Sequence, residues 1–396
     1  MWAFLPNLCQ NFNKRESVKI YKIEPNNTFE LFKKLDCDIA GAKIMAKKTE
    51  MHLLFIQDLH VGAANILKQD ALSIGADLAV PNGVVIAKDK FVDAGLLGTT
   101  KHFEILSRKE LSQPFGLKEL AGQLLQFTKK QTKTTKIMGV LNANSDSFWS
   151  HSRFDAIDAS QKISQMIEEG ADIIDIGAVS SRPGSDLVGK EEELKRIAPI
   201  LETIKTNKFY ENVIFSIDSY EPSVINYAFD CGFKIANDIS GISNIEIPNL
   251  CAKYDASLVI MHMQKNPKTM QEKPFYKNVI TEIDDFFSEK IKIAKNAGVQ
   301  DIVLDVGIGF GKTLEHNLNL LQNMSHFLHF GHEILIGASR KSMINAIFES
   351  QIDERLPGTL AIHLDAVRKG ATIVRCHDVK EHKQALAVQD AIVKFS

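Results

Sequence analysis

The chain has 396 residues, 44% apolar and 24% charged, with a formal net charge of −2. That is the composition of a globular protein with no global pull toward nucleic acid or anionic membrane, so any anion site must be local. The five cysteines are odd in number and lack a Cys-x-x-Cys pair, which points away from a disulfide framework and toward a reducing cytoplasm.

No apolar stretch reaches the roughly 18 residues of a membrane span, and residues 1 to about 16 read as a poorly ordered end. In the first third, 18–23 and 52–56 read as strands. A helical spacing runs through Leu59, Ala63, Ile66, Leu67 and Leu72 in 59–74. Thr99 or Thr100 caps a helix through Ser107, Gln113-Pro114 breaks it, and 116–127 reads as another helix. Asp58 and His60 are the chemistry-bearing pair here, but nothing beside them completes a nucleophile–base or metal set. A docking or oligomerisation role suits residues 1–128 better. The polar, basic run 129–135 reads as a linker.

From 136 to 396 one arrangement recurs eight times: a short apolar run ends in a polar residue, and an amphipathic segment follows. The runs are 137–141 ending in Asn142, 173–176 with Ser181 and Arg182 beyond, 213–217 with Asp218, and 234–236 with Asn237. They continue with 257–261 and His262, 302–304 and Asp305, 334–336 with Ser339 to Lys341 beyond, and 371–374 with Arg375. Helical faces are readable in 156–167, 191–204, 222–229, 279–297, 317–322, 358–368 and 385–393. Gly170, Gly232, Gly298 and Gly370 fall between a helix and a strand, where a positive φ is wanted. The expected fold is a (β/α)8 barrel preceded by a smaller α/β domain, with an active site built from the βα loops.

Asp218, Asn237 and Asp305 end the third, fourth and sixth runs. Two carboxylates and an amide over one barrel mouth suit a heterocycle rich in N–H donors, because each buried donor needs an acceptor. A metal cluster is the competing use, and His262 equally suits a packed histidine. After Asp305 comes Gly307-x-Gly309-x-Gly311-Lys312. It matches neither the phosphate-loop nor the dinucleotide spacing. It suits a sharp turn pressed against a flat ligand, with Phe310 stacking on it, or else a tight structural turn. Beyond the seventh and eighth runs, Ser339, Lys341, Arg375 and His377 gather donors where barrels commonly bind phosphate. Capping or pairing with Asp378 and Glu381 is the plainer reading of any one of them.

Together these segments resemble dihydropteroate synthase, the sulfonamide-targeted folate enzyme. The resemblance rests on 137–142 with Asp146-Ser147-Phe148, Ser181-Arg182-Pro183-Gly184, Ser216-Ile217-Asp218-Ser219, 237–241, 261–264, 304–313, Ser339-Arg340-Lys341-Ser342 and 375–379. It implies a transferase that joins 6-hydroxymethyl-7,8-dihydropterin diphosphate to 4-aminobenzoate with Mg²⁺. By position it implies that Asp218, Asn237, Asp305, Gly309, Phe310 and Lys341 hold the pterin. Asn142, Arg375 and His377 would hold the diphosphate, Asn142 also contributing to Mg²⁺. Ser181, Arg182, Pro183, Phe310 and Ser339 would border the aminobenzoate. Asn142, Lys341, Arg375 and His377 would carry catalysis, and a homodimer is expected. The first loop, Asn142-Ala143-Asn144-Ser145-Asp146-Ser147-Phe148-Trp149-Ser150, departs from the family's usual Asn-Val-Thr-Pro-Asp-Ser-Phe-Ser-Asp. Two alternatives therefore stand: a pterin-binding methyltransferase, and a pterin-binding scaffold without catalysis.

Overall fold

The computed structural model describes residues 20, 28–130, 133–142, 152–178, 189–265 and 268–395. The expected strand at 18–23 lies outside them except for Ile20, which is exposed and in no strand, and Ser181, Arg182 and Pro183 lie outside them altogether. In the first third, β1 (Met51–His60) pairs antiparallel with β3 (Phe91–Thr99), which pairs antiparallel with β2 (Asp77–Ala79). Asp58 adopts a positive φ of 51° at a register shift in β1, and its N–H donates to Asp93. His60 Nδ1 accepts from Gly62 N at 3.1 Å and so caps the helix Val61–Ile74. Both residues thus have structural employment. Thr99 forms a capping box with His102 at the head of the helix Thr100–Lys109. Strands β2 and β3 were not expected, because Gly95 and Gly98 interrupt β3 with residues that disfavour strands.

The eight apolar runs form eight strands: β4 (Lys136–Asn142), β5 (Ile173–Gly177), β6 (Ile214–Asp218), β7 (Ile235–Asp238), β8 (Ser257–Met261), β9 (Ile302–Asp305), β10 (Glu333–Ile336) and β11 (Ile373–Cys376). Every neighbouring pair is parallel, and β11 pairs with β4 to close the barrel. The four helix-to-strand glycines take φ of 94° to 104°, a region a side chain disfavours.

Side chains alternate across a strand, so each barrel strand sends one set inward and one outward. The outward set packs under the helices in a large apolar core with Phe215, Phe233, Phe287 and Phe327. The inward set begins with a separate plug of Met138, Ile173, Ile235, Val259, Val303, Leu335 and Ile373 from seven strands. Burying each such side chain contributes about 1.5–3 kcal/mol, so the lumen is a filled core rather than a channel. A third cluster, from Leu59 to Leu124, belongs to the first third of the chain.

Polar contacts cross between these parts. Lys130 pairs with Glu50 at 2.8 Å, Lys133 and Lys136 both reach Glu333, and Lys129 Nζ donates to His329 O. The basic run around 129–136 is therefore tethered at both ends rather than simply solvated.

Candidate active site

Two residues beyond the apolar plug, the same inward alternation brings a second layer into the barrel. Ile173 leads to Asp175, Ser216 to Asp218, Ile235 to Asn237, Val303 to Asp305 and Ile373 to Arg375. The plug thus forms a floor, and the polar layer above it faces the carboxyl ends of the strands.

Arg375 organises one side of this layer. Its Nε donates to Asp175 Oδ2 and its NH2 group to Asp218 Oδ2, each at 2.7 Å. Asn237 Nδ2 donates to the same Asp175 oxygen at 3.0 Å. Burial works against the Arg375 charge, and the two carboxylates outweigh it, holding the guanidinium protonated. Burial pushes the Asp218 carboxyl up to about 7 against the pull of Arg375, and Asp175 adds to the rise. Gly177 leaves room here: a Cβ on it would meet the Asp218 side chain at 3.3 Å. The buried Asp175 Oδ1 and Ser216 Oγ have no hydrogen-bond partner among the described residues.

The glycine-rich turn after β9 builds the opposite side. Asp305 Oδ1 accepts from Gly307 N at 2.8 Å, and burial raises its carboxyl despite nearby Lys341. A Cβ on Gly307, at φ 65°, would fall 2.0 Å from His262 O, so only glycine allows this approach. Lys312 is buried inside the turn, with its Nζ 3.0 Å from His262 Nδ1 and donating to the carbonyls of His262, Gly307 and Phe310. Burial lowers its amine well below the ordinary lysine range. Burial also drives His262 down to about 2, helped by Lys312, so its imidazole is neutral and Nδ1 is free to accept. The turn is therefore wound around an internal lysine.

Lys341 reaches across from the loop after β10. Its Nζ lies 4.3 Å from the centre of the Phe310 ring and donates to Ile308 O, and its stem runs past Gly309. Burial lowers it to about 8, while Asp305 acts to raise it. Ser339 Oγ lies 2.9 Å from His377 Nδ1, which joins the loops after β10 and β11. Arg340 pairs with Asp378 through both Nε and NH2. Lys341 stands at the head of a helix of only six residues, Ser342–Ile347, too short to supply much of a dipole.

Of the residues expected from the sequence, Asp218, Asn237, Asp305, Gly309, Phe310, Lys341, Arg375, Ser339 and His377 all lie at this mouth. Asn142 ends β4 and is exposed. The division into an acceptor floor and a separate cationic site is less clean than expected, because Arg375 binds the floor itself. Asp175 and Lys312 were not anticipated. Asp175 had a signal: it is an acid inside an apolar strand, at the parity of the inward set.

Donors and acceptors thus share one layer above the apolar plug, with Arg375 inside it and Lys341 reaching across it from the loop after β10. That arrangement can hold a planar heterocycle bearing several N–H groups and an attached anion. Residues 138–377 match the family model described as pterin binding enzyme. The chain is 40% identical to a bifunctional dihydropteroate synthase/dihydropteroate reductase of Helicobacter pylori, over 93% of this chain and 97% of that protein. It resembles a Clostridium difficile dihydropteroate synthase crystallised in the presence of pteroic acid, with TM-score 0.61, 36% identity, and coverage of 67% of this chain and 98% of that one. It also resembles the Thermus thermophilus dihydropteroate synthase in complex with 4-aminobenzoate, with TM-score 0.59, 35% identity, and coverage of 66% and 95%.

Proposed function

Because the chain belongs to the pterin binding enzyme family, we propose that it works as a dihydropteroate synthase. It joins 6-hydroxymethyl-7,8-dihydropterin diphosphate to 4-aminobenzoate, giving 7,8-dihydropteroate and pyrophosphate. The observation that carries this reading is the alternating layer of Asp175, Asp218, Asn237, Asp305 and Arg375 above the apolar plug.

In this reading Asp218, Asn237 and Asp305 take up the pterin's N–H groups. Lys341 and Phe310 line the ring's edge and face, and Gly309 allows the close approach. Arg375, His377 and Asn142 hold the diphosphate. Ser181, Arg182, Pro183, Phe310 and Ser339 border the aminobenzoate. The aromatic amine is unprotonated at neutral pH, so its nitrogen lone pair attacks the pterin methylene without a strong base. The bond from that carbon to the diphosphate oxygen breaks, the electron pair leaves with the diphosphate, and the amine proton passes to solvent. Arg375 and Lys341 are the positioned charges that favour departure of the anion.

The donor set suits a Mg²⁺ carried mainly by the substrate. Asn142 offers one neutral oxygen, and among the described residues no trio of metal-ligating side chains gathers at the mouth. When bound there, Mg²⁺ neutralises charge on the leaving diphosphate.

Residues 1–128 form an N-terminal unit in this reading, 129–135 a linker and 136–396 the catalytic barrel. A cytoplasmic setting accords with the free Cys37, Cys231, Cys251 and Cys376. A homodimer accords with exposed apolar side chains on the helical shell, such as Phe348 and Val388. No helix among the described residues is long and apolar enough to cross a membrane.

The test is formation of dihydropteroate from labelled 4-aminobenzoate, followed by mass. A pterin-binding methyltransferase has no need of Arg375, His377 and Lys341 together and would give no such product. The Helicobacter relative, which aligns beyond the barrel, favours a second reading in which the chain also reduces dihydropteroate. Incubating dihydropteroate with reduced flavin or nicotinamide tests it: no enzyme-dependent tetrahydropteroate removes this reading.

A further inference from the structure

Away from the barrel mouth, three side chains converge at the edge of the N-terminal region. His326 and His329 lie on the short 3-10 helix Met324–Phe330. Such a helix has three residues per turn, so positions three apart project on one side, and their rings stand 5.1 Å apart. Asp284, on the helix Val279–Asn296, faces both. Its Oδ1 lies 2.9 Å from His326 Nε2 and 2.5 Å from His329 Nε2. The three ligand atoms all lie within 4.8 Å of one another, the one such group among the described residues.

We propose that Asp284, His326 and His329 form a binding site for one borderline divalent cation of the Zn²⁺ class, with a fourth position open to water. Two imidazoles and one carboxylate are a donor set that zinc favours over magnesium or calcium. Bonds of about 2.0–2.2 Å to a shared tetrahedral ion need ligand atoms roughly 3.3–3.6 Å apart. The Asp284 contacts of 2.9 Å to His326 and 2.5 Å to His329 would therefore both lengthen, the second by roughly 1 Å.

The surroundings assign the ion a structural task. Phe127, from the stretch before the barrel, lies over both imidazoles, with ring centres 5.6 Å from His326 and 4.9 Å from His329. Lys129 donates to the carbonyl of His329. Fixing the two histidines would fix the surface on which residues 127–129 rest, and so tie the N-terminal region to the barrel. This site is separate from the mouth and independent of the synthase reading.

The experiment strips the full chain with chelator and titrates it with Zn²⁺ by calorimetry, and with Co²⁺ by visible absorption. The expected result is one Zn²⁺ per chain and a tetrahedral Co²⁺ spectrum, both weakened by at least about 100-fold in His329→Ala and Asp284→Asn. Synthase activity measured with Mg²⁺ should be unchanged in both. Asp284→Asn keeps the shape of the side chain, so it decides the matter if His329→Ala fails to fold. No stoichiometric Zn²⁺ uptake, or equal uptake by wild type and Asp284→Asn, would overturn the proposal.

Discussion

The NH2 group of Arg375 donates to Asp218 Oδ2 at 2.7 Å, joining the anion side of the mouth to its acceptor floor. With Nε on Asp175, one guanidinium compensates two buried carboxylates. Removing it leaves both uncompensated, and breaking such a buried pair costs about 3–5 kcal/mol. Arg375→Ala is therefore expected to weaken both the pterin diphosphate and the pterin lacking its diphosphate. Calorimetry with each ligand separates the cases. Pterin affinity at the wild-type level would show that Arg375 serves the diphosphate alone.

Asp175 anchors Arg375 and Asn237 through a single oxygen. One charge-assisted hydrogen bond contributes about 1.5–3 kcal/mol, so Asp175→Asn should lower kcat/KM by about ten- to a hundredfold with the fold kept. Steady-state kinetics beside a circular dichroism spectrum checks this, and unchanged kinetics would remove Asp175 from the site.

These two residues also mark the limits of legibility. The eight strands, the helix-stop glycines and the acceptors Asp218, Asn237 and Asp305 were readable because each sits where a hydrophobic period breaks. Asp175 is hard to read because it lies inside its apolar run, and only the alternation shared with the plug reveals that it points inward. Lys312 was hidden for another reason. Three of its partners are backbone carbonyls brought together by the turn, and no residue type announces them. In the first third, Gly95 and Gly98 masked β3, whose pairing is a long-range property that local propensity does not carry.

Gly307→Ala tests the wound turn. The positive φ alone costs about 1–2 kcal/mol for an alanine, before the clash with His262 O. A lower Tm and weaker pterin binding are expected together, since the same turn orients Asp305 and encloses Lys312. An unshifted Tm would contradict the close approach.

Glu110, buried in the N-terminal region, makes a pH prediction. Burial raises its carboxyl to about 7, and neighbouring Asp70 adds to the rise. Since its folded value lies above the ordinary 4.5, its stabilising contribution is complete below about 4.5 and is lost as pH rises through about 7. Glu110→Gln should flatten that loss, which thermal melts of both proteins from pH 5 to pH 8 would reveal as a smaller fall in Tm for the variant. Parallel curves would show that Glu110 does not carry the dependence.

The most direct measurement is pyrophosphate release by the purified full chain given pterin diphosphate, 4-aminobenzoate and Mg²⁺. The expected result is one pyrophosphate per dihydropteroate formed, requiring all three additions and nearly abolished in Arg375→Ala. Tight pterin binding with no pyrophosphate released would contradict the account and leave a pterin-binding scaffold in its place.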